Sequence, residues 1–229
     1  MDIQQIEALI KEAVRDADLH ASEIPSIDLY VDQITSLTSD KLKEGADRFH
    51  DRVLTKTMIN NYSKDGLISP IKGKKYSKEQ FLQMLLVYSL KNTLSIGEIK
   101  RILQNVYALP SFDGKMLEEV YESFLAIKDN ERGEIWDILQ AFIQKNELDV
   151  ADDADFFIMI LGLASLSAYL KNAVQALLEA RYPDLNAEKE REEQEKREVA
   201  KRQKEEKKEE KKAAKAKKDE NASEGEGSV

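Results

Sequence analysis

The chain of 229 residues contains no cysteine, and this absence excludes disulfides, thiolate metal sites and cysteine nucleophiles. Its two histidines, His20 and His50, lie far apart in the sequence and have no serine partner, so a nucleophilic triad has no support. The nine glycines form neither a GxGxxG fingerprint nor a phosphate-binding P-loop. We therefore predict that the protein is not an enzyme and that it binds no cofactor.

The sequence also lacks an apolar run of the length that a membrane-spanning helix needs, which is roughly 20 residues. The longest run, at residues 156–170, is shorter, and we interpret it as a buried helix. The first residues carry acids where a signal peptide requires basic residues. These features predict a cytoplasmic protein that does not contact a membrane.

Charge is distributed unevenly along the chain, although the net charge is only −9. Residues 43–101 hold 12 Lys and Arg against 6 Asp and Glu, which gives a basic segment of +6. Residues 186–229 sum to zero, and the remainder carries −15. A polyanion is attracted to a basic face and repelled by an acidic body, so this distribution would orient the protein on nucleic acid.

Periodic apolar residues predict helices along almost the whole chain. The polar stretch at residues 38–52 is compatible with either a loop or a broken helix. The predicted helices cover residues 2–19, about 26–37, 55–65, 78–92, a segment from 96 that ends before Pro110, 115–127, 131–146 and 155–181. We divide the chain into an N-terminal amphipathic helix (1–24), a central domain (25–111), a C-terminal helical region (112–185) and a charged tail (186–229).

Residues 55–77 carry helix stop and start signals at short intervals. Thr55 can cap a short helix, and Gly66 suits the left-handed residue that ends it. The next segment, IKGKKYS, is basic and centred on a glycine, as a small hairpin wing would be. Ser77 and Gln80 then form a capping box for the following helix. This order of elements predicts a winged helix-turn-helix within an all-α protein.

The stretch MINNYSKDGLISP, followed by KGKKYS and the helix SIGEIKRIL, resembles the DNA-binding domain of the MerR family of bacterial regulators. The whole chain also resembles a family of uncharacterised proteins from Gram-positive bacteria. The MerR resemblance implies a recognition helix at residues 55–65, a wing at residues 72–76 and a transcriptional regulator that binds duplex DNA. The residues implied to contact DNA are Thr55, Lys56, Thr57, Asn60, Asn61, Lys64, Lys72, Lys74, Lys75 and Tyr76.

A second hypothesis is a protein-interaction adaptor whose winged domain does not bind DNA. Asn60 stands where MerR-like sequences usually carry an arginine, and Asn61 replaces an aromatic residue. The acidic remainder of the chain also favours this alternative. For Tyr62 and Tyr76 we favour packing over stacking on bases.

The C-terminal region carries a long apolar stripe at residues 155–181 that needs a partner. The helix that contains Trp136, which we interpret as a core residue, could cover the stripe. The MerR resemblance implies instead a homodimer through these C-terminal helices, where Gly162, Ser165 and Ser167 would permit close approach. The tail at 186–229 mixes Glu and Lys without an apolar stripe, so it forms a charged, coiled-coil-like solvated helix or remains disordered.

Acidic residues cluster just before this last helix. Clustered carboxylates are ligands for hard cations, but their spacing lacks the glycine and the terminal glutamate of a calcium loop. We therefore predict helix capping and dipole stabilisation there, and no metal site. The cluster comprises Glu147, Asp149, Asp152, Asp153 and Asp155.

Overall fold

The structure is a computed structural model that describes residues 1–71 and 73–184, and Met1–Pro183 form one compact unit. Over these residues it is mainly helical, as the sequence predicts. Its elements are α1 (Ile3–Ala13), a 3₁₀ turn (Ala21–Glu23), β1 (Leu29–Tyr30), α2 (Val31–Leu42), α3 (Asp47–His50), α4 (Lys56–Lys64), β2 (Lys75–Tyr76), α5 (Lys78–Leu90), α6 (Ile96–Tyr107), α7 (Gly114–Lys145) and α8 (Asp153–Arg181). The predicted tail, residues 186–229, lies outside the described residues.

Helix α1 is shorter than the predicted helix at residues 2–19. It begins with a capping box between Asp2 and Gln5 and ends at Ala13. The residues that follow lie along α7, where the Lys128 ammonium binds Asp16 at 2.8 Å and Asp18 at 2.7 Å. These long-range ion pairs replace the helical continuation that local periodicity predicts.

The second helix begins later than the predicted residue 26. Leu29 and Tyr30 form β1 and pair antiparallel with β2, so that Leu29 lies opposite Tyr76 and Tyr30 lies opposite Lys75. The Gln33 side chain then accepts a hydrogen bond from the Tyr30 amide at 2.8 Å and fixes the start of α2. A strand of two residues leaves no periodicity to detect, which is why the sequence did not predict it.

The polar stretch at residues 38–52 proves to be a broken helix, one of the two predicted alternatives. Helix α2 continues to Leu42, and the short helix α3 follows. Between them, the Ala46 amide donates to the Arg15 carbonyl at 2.7 Å. A Cβ on Gly45 would lie 3.0 Å from that same carbonyl oxygen, so the close approach of the two chain segments favours glycine here.

Helix α5 is the centre of the core, as its apolar sequence predicts, although it ends at Leu90 rather than at residue 92. It packs against α4, β2 and α7. Its side chains Phe81, Met84 and Val87 are fully buried. The same core includes residues of the first half of α7, so it extends past the predicted boundary at residue 111.

Residues 114–145 form one continuous helix rather than the predicted pair at 115–127 and 131–146. The polar residues between the two predicted helices include no proline, and the helix passes through them without interruption. Lys128 from this stretch and Arg132 just after it bind Asp16 and Asp18. Trp136 is buried, which confirms its interpretation as a core residue.

Helix α8 differs most from its predicted environment. Gly162 packs against Phe142 of α7, and the Gln175 amide binds the Glu98 carboxylate of α6 at 2.6 Å. Over most of its length, however, the helix is uncovered, so the prediction that residues 156–170 are buried is wrong for a single chain. Its exposed large apolar side chains are Phe157, Ile158, Ile160, Leu161, Leu166, Tyr169, Leu170, Val174 and Leu177.

Exchanging Asp18 for Asn tests the ion-pair network that holds the N-terminal segment on α7. The Asp18 side chain is only 14% exposed and binds both Lys128 and Arg132, so Asp18→Asn should lower the free energy of unfolding by about 1–3 kcal/mol. Asp129→Asn is the matched control, because Asp129 also pairs with Arg132 but is 56% exposed. It should cost less than about 0.5 kcal/mol. Equal stabilities of the two variants in urea denaturation would contradict this role of the network.

Candidate nucleic-acid interface

Helix α4 presents a polar face on the protein surface. The Thr55 hydroxyl accepts a hydrogen bond from the Met58 amide at 3.2 Å, and Gly66 ends the helical segment with a φ of +68°, as the sequence predicts. Ile59 and Tyr62 are buried beneath the helix. The opposite side carries exposed hydroxyl, amide and ammonium groups from Thr57, Asn60, Asn61 and Lys64, with Thr55 and Lys56 exposed at its start.

Tyr62 packs inward, as its spacing predicts, and is unavailable for stacking on bases. Its side chain is 4% exposed, and its hydroxyl has no hydrogen-bond partner among the residues described. Burial raises the pKa of Tyr62 to about 12, because the phenolate form would be poorly solvated there. Tyr62 therefore stabilises the attachment of α4 to the core.

The described part of the predicted wing, residues 73–76, is built differently from the predicted hairpin. Gly73 turns the chain with a φ of +82°, and the strand that follows, β2, pairs with β1 from the start of the domain. In the described residues, β1 thus takes the place of a first wing strand. Lys74 and Lys75 are exposed on this turn, and Lys72 lies outside the described residues.

Tyr76, which the resemblance placed among the residues that contact DNA, lies in the core instead. It is 6% exposed and belongs to the same hydrophobic cluster as Phe81. Because alternate residues of a strand point to opposite faces, an exposed Lys75 requires an inward Tyr76. Burial also raises the pKa of Tyr76 above its ordinary value.

Two buried glutamines of α5 hold the base of the wing. Gln83 accepts a hydrogen bond from the Ser69 amide at 2.7 Å and donates to the Ser69 hydroxyl at 2.9 Å. The Gln80 amide donates to the carbonyls of Ser69 and Pro70, at 3.2 and 2.9 Å. The sequence predicted only a capping role for Gln80 and none for Gln83, a polar residue within the apolar run from Phe81 to Val87.

Polar contacts connect the wing to the start of α4 through the start of α2. The Lys75 ammonium lies 4.9 Å from the centroid of the Tyr30 ring, within the range of a cation–π interaction. Asp32, two residues after Tyr30, forms an ion pair with Lys56 at the start of α4. Lys64, Lys74 and Lys75 have no ion-pair partner within the described part of the chain, so they are less neutralised than Lys56.

Other lysines and arginines of the basic segment point elsewhere. Lys78 binds Glu118 of α7 at 3.0 Å, and the Arg101 guanidinium donates to the Tyr182 carbonyl at the end of α8. Lys91 is half-buried, with its ammonium 4.3 Å from the centroid of the Tyr88 ring. The charge of +6 that the sequence assigns to residues 43–101 is therefore divided among several surfaces. A count of charges along the chain does not show in which direction each side chain points.

Asp152 caps α8, as predicted for the acidic cluster at its start. The Asp152 carboxylate accepts hydrogen bonds from the Ala154 and Asp155 amides at 2.9 and 3.0 Å. The Asp155 carboxylate accepts one from the Asp149 amide at 2.9 Å. Over residues 1–71 and 73–184, no group of three or more His, Asp and Glu side chains is arranged to hold a metal ion.

Comparison with known proteins places part of the chain in a family. Residues 19–124 match the family described as Domain of unknown function (DUF1836), which covers less than half of the chain. The match supports a domain of unknown function in this segment, which contains α2, α4, β2 and α5. No curated protein and no solved structure matches the chain significantly.

A Gln83→Leu variant tests whether the buried glutamine positions the wing. Leucine preserves the bulk of the side chain but leaves the partly buried Ser69 amide without its acceptor, which should cost about 1–3 kcal/mol. Hydrogen exchange of the amides at residues 69–76 should accelerate relative to the rest of the chain. Gln144→Leu, an exposed position on α7, is the control and should change neither measurement. Unchanged exchange in Gln83→Leu would contradict the assigned role.

Proposed function

We propose that the protein is a DNA-binding transcriptional regulator that docks α4 and the lysines of the wing turn on duplex DNA. The observation that carries this proposal is the juxtaposition of the two elements. The exposed polar face of α4 and the exposed Lys75 are linked through Tyr30 and Asp32 at the start of α2. In DNA-binding domains of this kind, a helix usually contacts the base edges and a neighbouring cationic segment contacts the phosphates.

The side chains on α4 favour particular base contacts. Asn60 and Asn61 carry amides, which can donate to and accept from the N7 and N6 edge of adenine in the major groove. The exposed face of this helix carries no arginine for bidentate contact with guanine. We therefore expect a preference for A·T base pairs at the positions under α4.

Lysines supply the sequence-independent part of the binding. Lys56, Lys64, Lys74 and Lys75 are all exposed, and Lys56 is partly neutralised by Asp32. If each lysine displaces one condensed counterion, log K should fall with log salt at a slope on the order of −3 to −4. The interaction would then weaken strongly between low and physiological salt.

A homodimer through α8 is part of this proposal. The described unit leaves nine large apolar side chains of α8 exposed, and residues 185–229 contain only Leu185, Val199 and Val229 as large apolar residues. The rest of the chain therefore cannot supply a matching apolar surface, whereas a second copy presents the same stripe. Self-complementary pairing of this kind is the commonest route to a symmetric dimer.

Judged by length and composition alone, helix α8 could also cross a membrane. Its 29 residues contain an 18-residue window with a mean hydropathy of 1.5. Its uninterrupted apolar run ends at Leu170, before Lys171 and Asn172. A run of this length rises about 22 Å, against about 30 Å for the hydrocarbon core of a bilayer. Pairing between two copies therefore accounts better for α8 than a membrane span does.

Charge reversal on the wing tests the DNA-binding proposal. The double variant Lys74→Glu and Lys75→Glu should weaken binding to genomic DNA fragments at least about 30-fold in a mobility-shift assay at low salt and should reduce the salt slope by about 2. The double variant Lys115→Glu and Lys145→Glu, at exposed positions of α7, changes the net charge equally and should have a much smaller effect. Equal losses of DNA affinity in both variants would show that the wing lysines contribute only through the net charge of the protein.

A sedimentation experiment without detergent tests the dimer. The full chain should sediment as a dimer at micromolar concentration, and Leu170→Glu should shift it to monomer, because a carboxylate would be buried in the apolar interface. Asn172→Glu, on the same helix but at a polar position, is the control and should remain dimeric. A wild-type monomer that floats with phospholipid vesicles would overturn the dimer in favour of a membrane contact.

A protein-interaction adaptor is the second candidate, and one observation favours it. Asp32 lies at the start of α2, beside the proposed DNA surface, and its carboxylate would face phosphates. Together with the acidic remainder of the chain, this charge disfavours DNA. Failure of the full chain to bind any genomic fragment at low salt would select the adaptor.

A further inference from the structure

A cavity of about 370 Å³ lies between α5, α7 and the segment that joins α1 to the 3₁₀ turn. The end of α2 and helix α3 close its other sides. This size is at the lower end of the range typical of small-molecule sites. The cavity lies apart from the exposed face of α4, and the proposed docking on DNA does not use it.

The walls of the cavity combine an apolar interior with a polar rim. Leu19, Leu54 and Leu85 line it, with the rings of Phe49 and Phe124. Polar side chains from the end of α5 and the turn after it also line the cavity, namely Ser89, Asn92 and Thr93, and so do Asp16 and Asp18. Such a surface suits a small molecule with an apolar body and one polar end.

Two of the three cations that line the cavity are already neutralised. The Lys41 ammonium binds Glu23 at 2.8 Å and Glu44 at 3.0 Å. The Lys128 ammonium binds the carboxylates of Asp16 and Asp18. Neither cation therefore needs a ligand to satisfy its charge.

Arg52 is the third cation, and its charge is not neutralised. Its guanidinium lies 5.0 Å from the centroid of the Phe49 ring and has no carboxylate within ion-pair distance among the residues described. Its backbone carbonyl accepts a hydrogen bond from the Tyr88 hydroxyl, which fixes the backbone at this position. The Lys91 ammonium, which does not line the cavity, lies over the ring of Tyr88. The pKa of Lys91 is lowered by burial and by the charge of Arg52.

We propose that this cavity binds a small organic anion, whose apolar body lies between Phe49 and Phe124 and whose carboxylate or equivalent group pairs with the Arg52 guanidinium. The carboxylates of Asp16 and Asp18 also line the cavity but bind Lys128, so the anion would supply the partner that Arg52 lacks among the described residues. Planar bidentate pairing with a carboxylate is the interaction for which a guanidinium is best suited. The hydroxyls of Ser89 and Thr93 can hydrogen-bond to the same polar end.

The cavity is connected to α4, so this part of the inference rests on the proposed DNA-binding function. Leu54 lines the cavity and directly precedes Thr55, the residue that caps α4. Lys91 lies 3.8 Å from the Met58 sulfur on α4. An anion at Arg52 would alter the charge beside both contacts, and we expect it to change the affinity of α4 for DNA.

Titration calorimetry of the full chain with 1-naphthoate, and with the neutral 1-naphthalenemethanol, tests the cavity site. The anion should bind at least about tenfold more tightly than the alcohol, and Arg52→Gln should remove that difference. Arg48→Gln is the matched control, because Arg48 also lies over the Phe49 ring, at 5.5 Å, but does not line the cavity. Arg48→Gln should preserve the preference for the anion.

Ser89→Trp provides a second variant, because its indole would fill the cavity while leaving Arg52 in place. It should abolish binding of both probes, whereas Leu170→Glu should leave binding intact and so exclude the exposed face of α8 as the site. Equal affinities for the two probes, or an unchanged preference in Arg52→Gln, would overturn the anion site.

Mobility-shift assays with and without saturating 1-naphthoate test the connection to α4. The apparent affinity for DNA should change at least about fivefold, within the usual range of coupling between two sites. An unchanged affinity would overturn the coupling. A chain that binds 1-naphthoate but no DNA would overturn the regulator and leave the anion site supported, so the two failures are distinguishable.

Discussion

The pairing of β1 with β2 is the contact on which the proposed DNA surface depends. It involves two residues on each strand, yet it joins the start of α2 to the wing across a long stretch of sequence. It directs Tyr76 into the core and leaves Lys75 outside. Gln80 and Gln83 reinforce it from below, because their hydrogen bonds fix the turn at Ser69 and Pro70. A two-stranded sheet this short has little stability of its own and needs such support.

The elements that the sequence predicted well are those with local signals. Thr55 caps α4, and the capping box of Ser77 with Gln80 opens α5, because each depends on residues three positions apart. The exposed polar face of α4 follows from the spacing of its buried residues. The domain of an uncharacterised family that the chain resembles is confirmed over residues 19–124.

The features that the sequence did not predict depend on partners far away along the chain. Strand β1 exists because β2 lies beside it, and α1 ends early because Asp16 and Asp18 bind α7. The role of Gln83 depends on a turn fourteen residues earlier. The direction of each lysine in the basic segment is likewise a property of the folded chain, so the count of charges overstated the cationic surface near α4.

The length of α7 has a mechanical consequence. This helix of 32 residues extends about 48 Å. Its first half belongs to the core beneath α5, and its second half packs against α8 through Phe142 and Gly162. Without a proline to kink it, a long helix curves only gently, so α7 acts as a spacer between the two regions. In the proposed dimer, joined along α8, the distance between the two copies of α4 would be set by the length of α7. Such a molecule would tolerate little variation in the spacing of the two halves of its target.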